Sequence, residues 1–220
     1  MLENLLFKKM TKILLYFLFL IPLTDLTSQS FYSIEIGGGY TDNVFRNNEL
    51  EYWDKGFIIL FNNDFQLNTN FSLTQTLSYQ NINFNNSLYS LGITVPAIYG
   101  VKIGETVGEN SKFYEVSIGI RTETELYSFK TISSLRVGVF YIDEGLINTS
   151  VEIIDGYGNI FNTNYQAGGD QFFRGFVSLG LGGLFSLSQN MNLVLEGKLA
   201  TTVYDLILNT AITSQLQFLF

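Results

Sequence analysis

The sequence lacks two residue types that carry much of protein chemistry, because its 220 residues include no cysteine and no histidine. The absence of cysteine excludes disulfide bonds, thiolate catalysis, cysteine-ligated zinc and a lipid-modified N-terminal cysteine. The absence of histidine removes the usual acid or base at neutral pH and the commonest metal ligand. We therefore expect no catalytic residue, no metal site and no cofactor.

Charged residues are also scarce, at 15% of the chain, against about 25% in typical soluble domains. The 12 basic and 20 acidic residues give a net charge of -8. This balance disfavours nucleic-acid binding, because phosphate contacts need lysine and arginine. The length fits a single domain, and the composition argues against an ordinary soluble enzyme.

Residues 1–30 have the features of a secretory signal peptide. Three lysines precede an uncharged apolar run at 13–23, and small residues then allow cleavage after Ser28 or Ser30. A membrane-spanning anchor is disfavoured because a spanning helix needs about 20 apolar residues. We therefore expect a cleaved leader followed by a mature domain at 31–220.

Apolar and polar residues alternate with a period of two through most of the mature sequence. In segment 89–103 the odd positions are all apolar, and in segment 71–79 the alternation is broken only by Gln75. This period is the signature of β-strands with one apolar and one polar face. The apolar runs reach about 9–15 residues, which exceeds the ~5–6 of soluble strands and covers the ~9–11 of a tilted membrane strand.

The polar faces are rich in glycine, serine and threonine, as in the narrow interior of a membrane barrel. Because hydrocarbon offers no hydrogen-bond partners, a sheet in lipid has to close on itself. We therefore predict an all-β fold, a closed antiparallel up-and-down transmembrane β-barrel of about eight strands, with ten as the alternative. A further hairpin around the turn 155–159 leaves the strand number open. The rival architecture is a secreted soluble β-sandwich, in which the apolar faces would meet each other.

Charged residues on the polar faces are nearly balanced in sign. Isolated charges in a narrow lumen are costly, so the balance predicts ion pairs inside the barrel. An eight-stranded interior is just wide enough to be filled by side chains, which disfavours a wide diffusion pore. The predicted lumen charge network comprises Glu35, Asp64, Lys102, Glu115, Arg121, Arg136, Arg174, Glu196 and Lys198.

Two other features are candidates for a site. Glu123 and Glu125 lie two apart on one strand face, as an acid–base pair or a calcium ligand pair would. Close acidic pairs are usually solvated, and we expect that here. Trp53 is the sole tryptophan and lies in a polar segment, where we expect an anchor at the membrane interface or, alternatively, a binding aromatic.

The C-terminal strand resembles the terminal signature of bacterial outer-membrane β-barrel proteins, in which an aromatic residue ends an alternating apolar strand. The residues that carry this resemblance are Leu216, Phe218 and Phe220. The segment 173–220 resembles the last three strands of small OmpX/OmpW-like and PorT-like barrels. The resemblance implies a Gram-negative outer-membrane location, contact with outer-membrane lipid, and recognition of those three residues by the barrel-assembly machinery.

Enzymes among such small barrels rely on a histidine, which this chain lacks, so the resemblance implies no enzymatic activity. We predict a non-enzymatic structural or binding role through the extracellular loops 41–55 and 143–172. One alternative is a narrow, porin-like channel for small or apolar molecules, as the OmpW-like resemblance allows. Another is an accessory component of a secretion or assembly machine, as the PorT-like resemblance allows.

Overall fold

A computed structural model of the chain describes residues 32–45, 50–89, 100–126, 129–203 and 207–220. Within these residues the strands are β1 (Tyr32–Phe45), β2 (Trp53–Gln66), β3 (Phe71–Phe84), β4 (Gly100–Gly108), β5 (Ser111–Leu126), β6 (Phe129–Asp143), β7 (Leu146–Ile154), β8 (Ile160–Gly168), β9 (Gln171–Ser188), β10 (Met191–Thr202) and β11 (Leu208–Leu219). In the described part of the chain, no helix has the length and apolarity needed to cross a membrane. The predicted leader at 1–30 lies outside the described residues.

Eight strands form a closed antiparallel barrel in the order β1-β2-β3-β5-β6-β9-β10-β11. The barrel closes where β1 pairs with β11, from Ser33 opposite Leu219 to Phe45 opposite Leu208. The prediction of a closed antiparallel barrel is therefore confirmed, with eight wall strands rather than ten. The β-sandwich alternative is wrong, because no second sheet packs against the apolar faces of the described wall strands.

The two ends of the barrel differ in their connections. Tight turns link β2 to β3 and β9 to β10, and Leu126 of β5 lies opposite Phe129 of β6 at the same end. β1 begins and β11 ends at this short-turn end. The opposite end is where β1 joins β2, β3 joins β5, β6 joins β9 and β10 joins β11, and it is here called the loop end. Membrane barrels keep short turns on the periplasmic side and longer loops outside, so the loop end is extracellular.

The alternation along each strand separates an apolar outer wall from a polar interior. On β5, Val116 and Ile118 are exposed, whereas Glu115 and Ser117 are buried. Cross-strand partners repeat the pattern, since Ile118 lies opposite the exposed Val137 of β6. A wall with this much exposed apolar surface is stable only against hydrocarbon.

Rows of aromatic rings border the apolar wall. At the loop end, rings on neighbouring strands lie 5.0–6.0 Å apart in the series Phe57, Tyr79, Tyr114, Tyr141 and Phe173. At the short-turn end, Phe129 stacks on Phe185 at 6.0 Å. Tyr141 and Phe129 lie on the same strand, and their separation at ~3.3 Å per residue and a tilt of ~40° is about 30 Å along the barrel axis. This matches a hydrocarbon core, and a polar-filled barrel with such a wall is an outer-membrane protein.

The remaining strands form a separate three-stranded sheet in the order β4-β7-β8 at the loop end, here called the outer sheet. Its β7–β8 hairpin turns at 155–159, where the sequence predicts a hairpin. The prediction of a wall strand at 89–103 is wrong for residues 100–103, because β4 begins at Gly100 and pairs with β7 outside the wall. The alternation at 100–103 reflects a strand with two unlike faces but does not specify which sheet the strand joins. Residues 90–99 lie outside the described residues.

Candidate functional site

The interior of the barrel contains a buried cluster centred on Arg121. Its Nη1 donates to a carboxylate oxygen of Glu35 on β1 and to Oδ2 of Asp64 on β2, the latter at 2.8 Å. All three side chains are almost completely buried. Thr74 of β3 donates its hydroxyl to the other oxygen of Asp64. One cation thus compensates two carboxylates across the lumen.

A second cluster joins β6 to β10. Nη2 of Arg136 donates to both carboxylate oxygens of Glu196, at 2.8 and 3.0 Å. Ser134 donates to the same carboxylate at 2.8 Å. Gly180 of β9 faces this carboxylate, and a Cβ there would overlap Oε1 of Glu196 and Oγ of Ser134. The cluster can therefore form only because position 180 has no side chain.

A third ion pair lies nearer the loop end. Nζ of Lys198 donates to Oε2 of Glu115, which also accepts a hydrogen bond from Ser78 at 2.7 Å. The ammonium lies 5.9 Å from the ring centre of Phe140 and 5.5 Å from that of Phe176. The pair thus forms the boundary between the polar interior and an apolar layer above it.

Amide side chains connect these clusters. Asn62 donates to Glu35 at 2.9 Å and to Gln215 at 2.8 Å. Gln215 in turn donates to Glu196 at 3.3 Å, and Gln217 donates to Glu35 at 3.0 Å. The carboxylates of the first two clusters are therefore bridged by hydrogen bonds, and side chains fill the middle of the lumen.

One residue of the predicted lumen network lies outside the barrel, and another lies at its loop end. Lys102 is exposed on β4 and pairs with Glu152 of β7 at 3.2 Å, so its assignment to the lumen is wrong. The error follows from treating 89–103 as a wall strand. Arg174 lies at the loop end of β9, with its guanidinium 4.3 Å from the ring centre of Phe172. The structure brings together the other seven residues inside the barrel.

An apolar plug fills the loop end of the barrel. Its buried members are Leu50, Trp53, Ile82, Phe113, Phe140, Ile142, Ile147, Phe176, Ala200 and Ile207. The expectation for Trp53 is wrong, because this side chain is 0% exposed and lies inside the plug rather than at the membrane interface. Its Nε1 donates to the carbonyl oxygen of Glu109 at 2.8 Å. A Cβ at Gly168 would lie 3.2 Å from its ring.

The sequence does contain a signal for the plug: apolar and polar residues stop alternating near the loop end of the strands. Around Phe140 and Ile142, and again around Phe172 and Phe176, apolar residues occupy both strand faces. A strand with two apolar faces is buried on both sides. Such segments at the ends of otherwise alternating strands predict an apolar layer inside the barrel.

The outer sheet ends in an ordered turn. Oδ1 of Asp155 accepts hydrogen bonds from the backbone N–H groups of Tyr157 and Asn159, and its Oδ2 accepts one from the Asn159 side chain. These hydrogen bonds, chiefly the one from the Asn159 side chain, lower the pKa of the Asp155 carboxyl. Gly158 has φ +86°, a conformation that side chains disfavour. The turn presents Tyr157 with 94% of its surface exposed.

The acidic pair at the short-turn end lies beside an open cavity of about 500 Å³. The cavity is lined by Gln66, Thr69, Asn70, Glu123, Thr124, Glu125 and Lys130. Nζ of Lys130 lies 3.5 Å from Glu123, which makes this carboxylate a partner in a half-exposed ion pair. Across the described ranges, no three acidic side chains are grouped as a metal site would require.

The predicted assembly signal lies on the outer wall. Leu216 and Phe218 on β11, and Phe220 just after it, are exposed. Phe218 pairs across the closure with Ile34 of β1. The side chains are positioned for contact with lipid, and their recognition during assembly stays a prediction.

The sequence matches no protein-family model and no curated protein. Among solved structures, the chain is similar to Neisserial surface protein A, with 11% identity over 88% of this chain and 100% of that chain, at a TM-score of 0.47. It is similar to the N-terminal β-barrel domain of Pseudomonas aeruginosa OprF, with 10% identity over 87% and 100%, at 0.42. It is also similar to Ail, the attachment invasion locus protein of Yersinia pestis, with 12% identity over 88% and 100%, at 0.39.

Proposed function

We propose that this chain is a non-enzymatic outer-membrane protein whose barrel anchors the outer sheet at the cell surface for binding. The observation that carries the proposal is the sheet itself, which extends beyond the wall strands and exposes apolar side chains to water. Exposed apolar patches on a folded protein mark interaction surfaces. The wall strands need no such sheet in order to cross the membrane.

One face of the outer sheet is richer in exposed apolar side chains than the other, which exposes Val107, Ile154 and Ile160. Opposed residues in antiparallel strands point to the same side, and Ile153 of β7 lies opposite both Val101 of β4 and Phe161 of β8. Ile103 and Tyr165 lie on the same face by the same registers and are exposed. The other face is mainly polar and carries the Lys102–Glu152 ion pair. A partner with apolar residues would therefore meet the first face.

The apolar plug holds the sheet at its base. Ile147 of β7 is buried in the plug, and the N–H of Gly145 donates to Oγ of Ser111 at 2.9 Å. Trp53 lies against Gly168 at the end of β8. A surface fixed in this way loses little conformational entropy on binding, which favours affinity.

The interior of the barrel supports the role of a channel less well than that of an anchor. The ion clusters fill the middle of the lumen and the apolar plug fills its loop end, so a solute would have to displace both. Buried ion pairs are costly to separate once removed from water. A stable interior of this kind suits an anchor better than a pore.

The test is adherence by cells that produce the full chain. The variant Ile103→Ser/Phe161→Ser/Tyr165→Ser removes the exposed apolar face, and the control Lys102→Ser/Glu152→Ser alters the polar face of the same sheet. We expect adherence to surfaces coated with serum protein to fall in the first variant only. A heat-dependent gel shift verifies that both barrels fold. Equal adherence in the two variants, or ion conductance by the purified full chain in planar bilayers, would overturn the proposal.

A further inference from the structure

The outer sheet has one edge that is open and unprotected. β8 pairs with β7 along its whole length, from Ile160 to Gly168, and its other side has no strand partner in the described part of the chain. Eight of its nine residues are exposed. The backbone N–H and C=O groups on that side are therefore available to another strand.

The opposite edge of the same sheet is protected. β4 carries Lys102 and Glu105, and its pairing with β7 is interrupted by a register shift between Ile103 and Thr106. Charges and bulges are the usual means by which edge strands avoid pairing with other chains. β8 has no charge, no proline and no register shift. The difference between the two edges indicates that β8 is kept open for pairing.

We propose that β8 adds to the β8 strand of a second copy of this chain, in an antiparallel pair centred on Asn164. The sequence of β8 is complementary to itself in this register. Ile160 and Phe161 meet the small residues at the far end of the other strand, and amide side chains meet amides. The opposed residues are Ile160 with Gly168, Phe161 with Ala167, Asn162 with Gln166, Thr163 with Tyr165, and Asn164 with its own copy.

The neutrality of β8 favours a second copy over a partner of opposite charge. The chain carries a net charge of -8, so two copies repel each other wherever acidic surfaces meet. Within the paired segment no charged side chains face each other, because the nearest acidic residues along the chain, Asp155 and Asp170, lie beyond its two ends. Glu152 on the neighbouring strand β7 is already paired with Lys102. A basic partner would be expected to meet carboxylates along the edge, and β8 has none.

Self-pairing rests on the proposed binding role and assigns the free edge of the outer sheet a partner of its own, a second copy of this chain. The pair joins the tip of one β7–β8 hairpin to the base of the other, so the hairpins of the two copies point in opposite directions. Copies on facing surfaces satisfy this condition when the hairpins extend away from the membrane. The resulting activity is attachment of producing cells to each other.

Cross-linking tests the pairing, because the chain contains no other cysteine. The Cα atoms of opposed antiparallel residues lie about 4.5–5.5 Å apart, within the ~4.4–6.8 Å that a disulfide spans. The variant Asn164→Cys, oxidised on intact cells in dense suspension, is therefore expected to form a disulfide dimer. Ser150→Cys is the matched control, because Ser150 is exposed and lies opposite Asn164 on the central strand β7. We expect about tenfold more dimer from Asn164→Cys than from this control.

The register is tested with two further variants. Cells producing Asn162→Cys mixed with cells producing Gln166→Cys are expected to give more dimer than either population alone. The proposal is overturned if Asn164→Cys forms no more dimer than Ser150→Cys, if the mixed populations show no excess, or if Asn164→Cys instead cross-links to a different protein. If adherence depends on the apolar face while no dimer forms, the binding role stands and self-pairing fails. If a dimer forms while adherence does not depend on the apolar face, self-pairing stands and the binding role of that face fails.

Discussion

The indole Nε1 of Trp53, the first residue of β2, donates to the carbonyl oxygen of Glu109 over 2.8 Å. This bond joins the start of β2 to the connection between β4 and β5. Because the ring also lies against Gly168 at the end of β8, a single side chain fixes three loop-bearing segments. A buried residue thus helps to organise the described part of the loop end.

Trp53→Ala is predicted to destabilise the protein by about 3–5 kcal/mol, because it leaves a large cavity in the plug. Trp53→Phe keeps most of the apolar volume and loses the hydrogen bond, so its cost is predicted to be about 1–2 kcal/mol. Urea unfolding in detergent, followed by the gel shift of folded and unfolded barrel, measures both. Equal midpoints for the two variants and the parent chain would contradict the assigned role of Trp53.

Arg121→Ala is predicted to destabilise the barrel by about 3–5 kcal/mol, because it leaves two carboxylates buried without a cation. The triple variant Arg121→Met/Glu35→Gln/Asp64→Asn removes the charges together and is predicted to recover most of that loss. The same unfolding assay compares the two. Lower stability of the triple variant than of Arg121→Ala would show that the cluster stabilises the barrel by more than charge compensation.

Gly180→Ala is predicted to cost about 1–3 kcal/mol, because its Cβ would overlap the Glu196 carboxylate and force the Arg136 pair to move. Gly197→Ala on the neighbouring strand is the matched control, since the nearest atom to its Cβ is a carbonyl oxygen at 3.7 Å. We expect a lower unfolding midpoint for the first variant and little change for the second. A similar loss in both would mean that strand flexibility, and not the space beside Glu196, accounts for the effect.

The wall of the barrel could be predicted from sequence because lipid on one side and a narrow polar lumen on the other impose strict alternation. Glu115 and Arg136, for example, fall on polar faces that the period alone identifies. The alternation of 89–103 gave the wrong prediction of a wall strand for the same reason, since β4 also has two unlike faces. Which sheet a strand joins depends on pairing with distant residues such as those of β7, and the local period carries no information about that.

The plug was harder to predict, because burial of Trp53 depends on segments that meet only after the barrel closes. Its neighbours in sequence are polar, and a polar environment in the chain normally indicates a solvated loop. The indole is buried because three connections cover the same end of one barrel. Lys102 is the opposite example, because this cation lies on an alternating segment but pairs with Glu152 in the outer sheet and not with a carboxylate in the lumen.

The turn at the tip of the outer sheet is predicted to stay ordered into acidic solution. Hydrogen bonds, chiefly from the Asn159 side chain, hold the pKa of Asp155 below its usual value, so the folded turn binds a proton less readily than the unfolded turn. The stabilisation is therefore fully present above the ordinary carboxyl pKa and is lost as the pH falls through the lowered one. The amide resonances of Tyr157 and Asn159, followed by NMR during acid titration, should shift only below that ordinary value. Asp155→Asn removes the titrating group, and a transition that persists in this variant at the same pH would exclude Asp155 as its source.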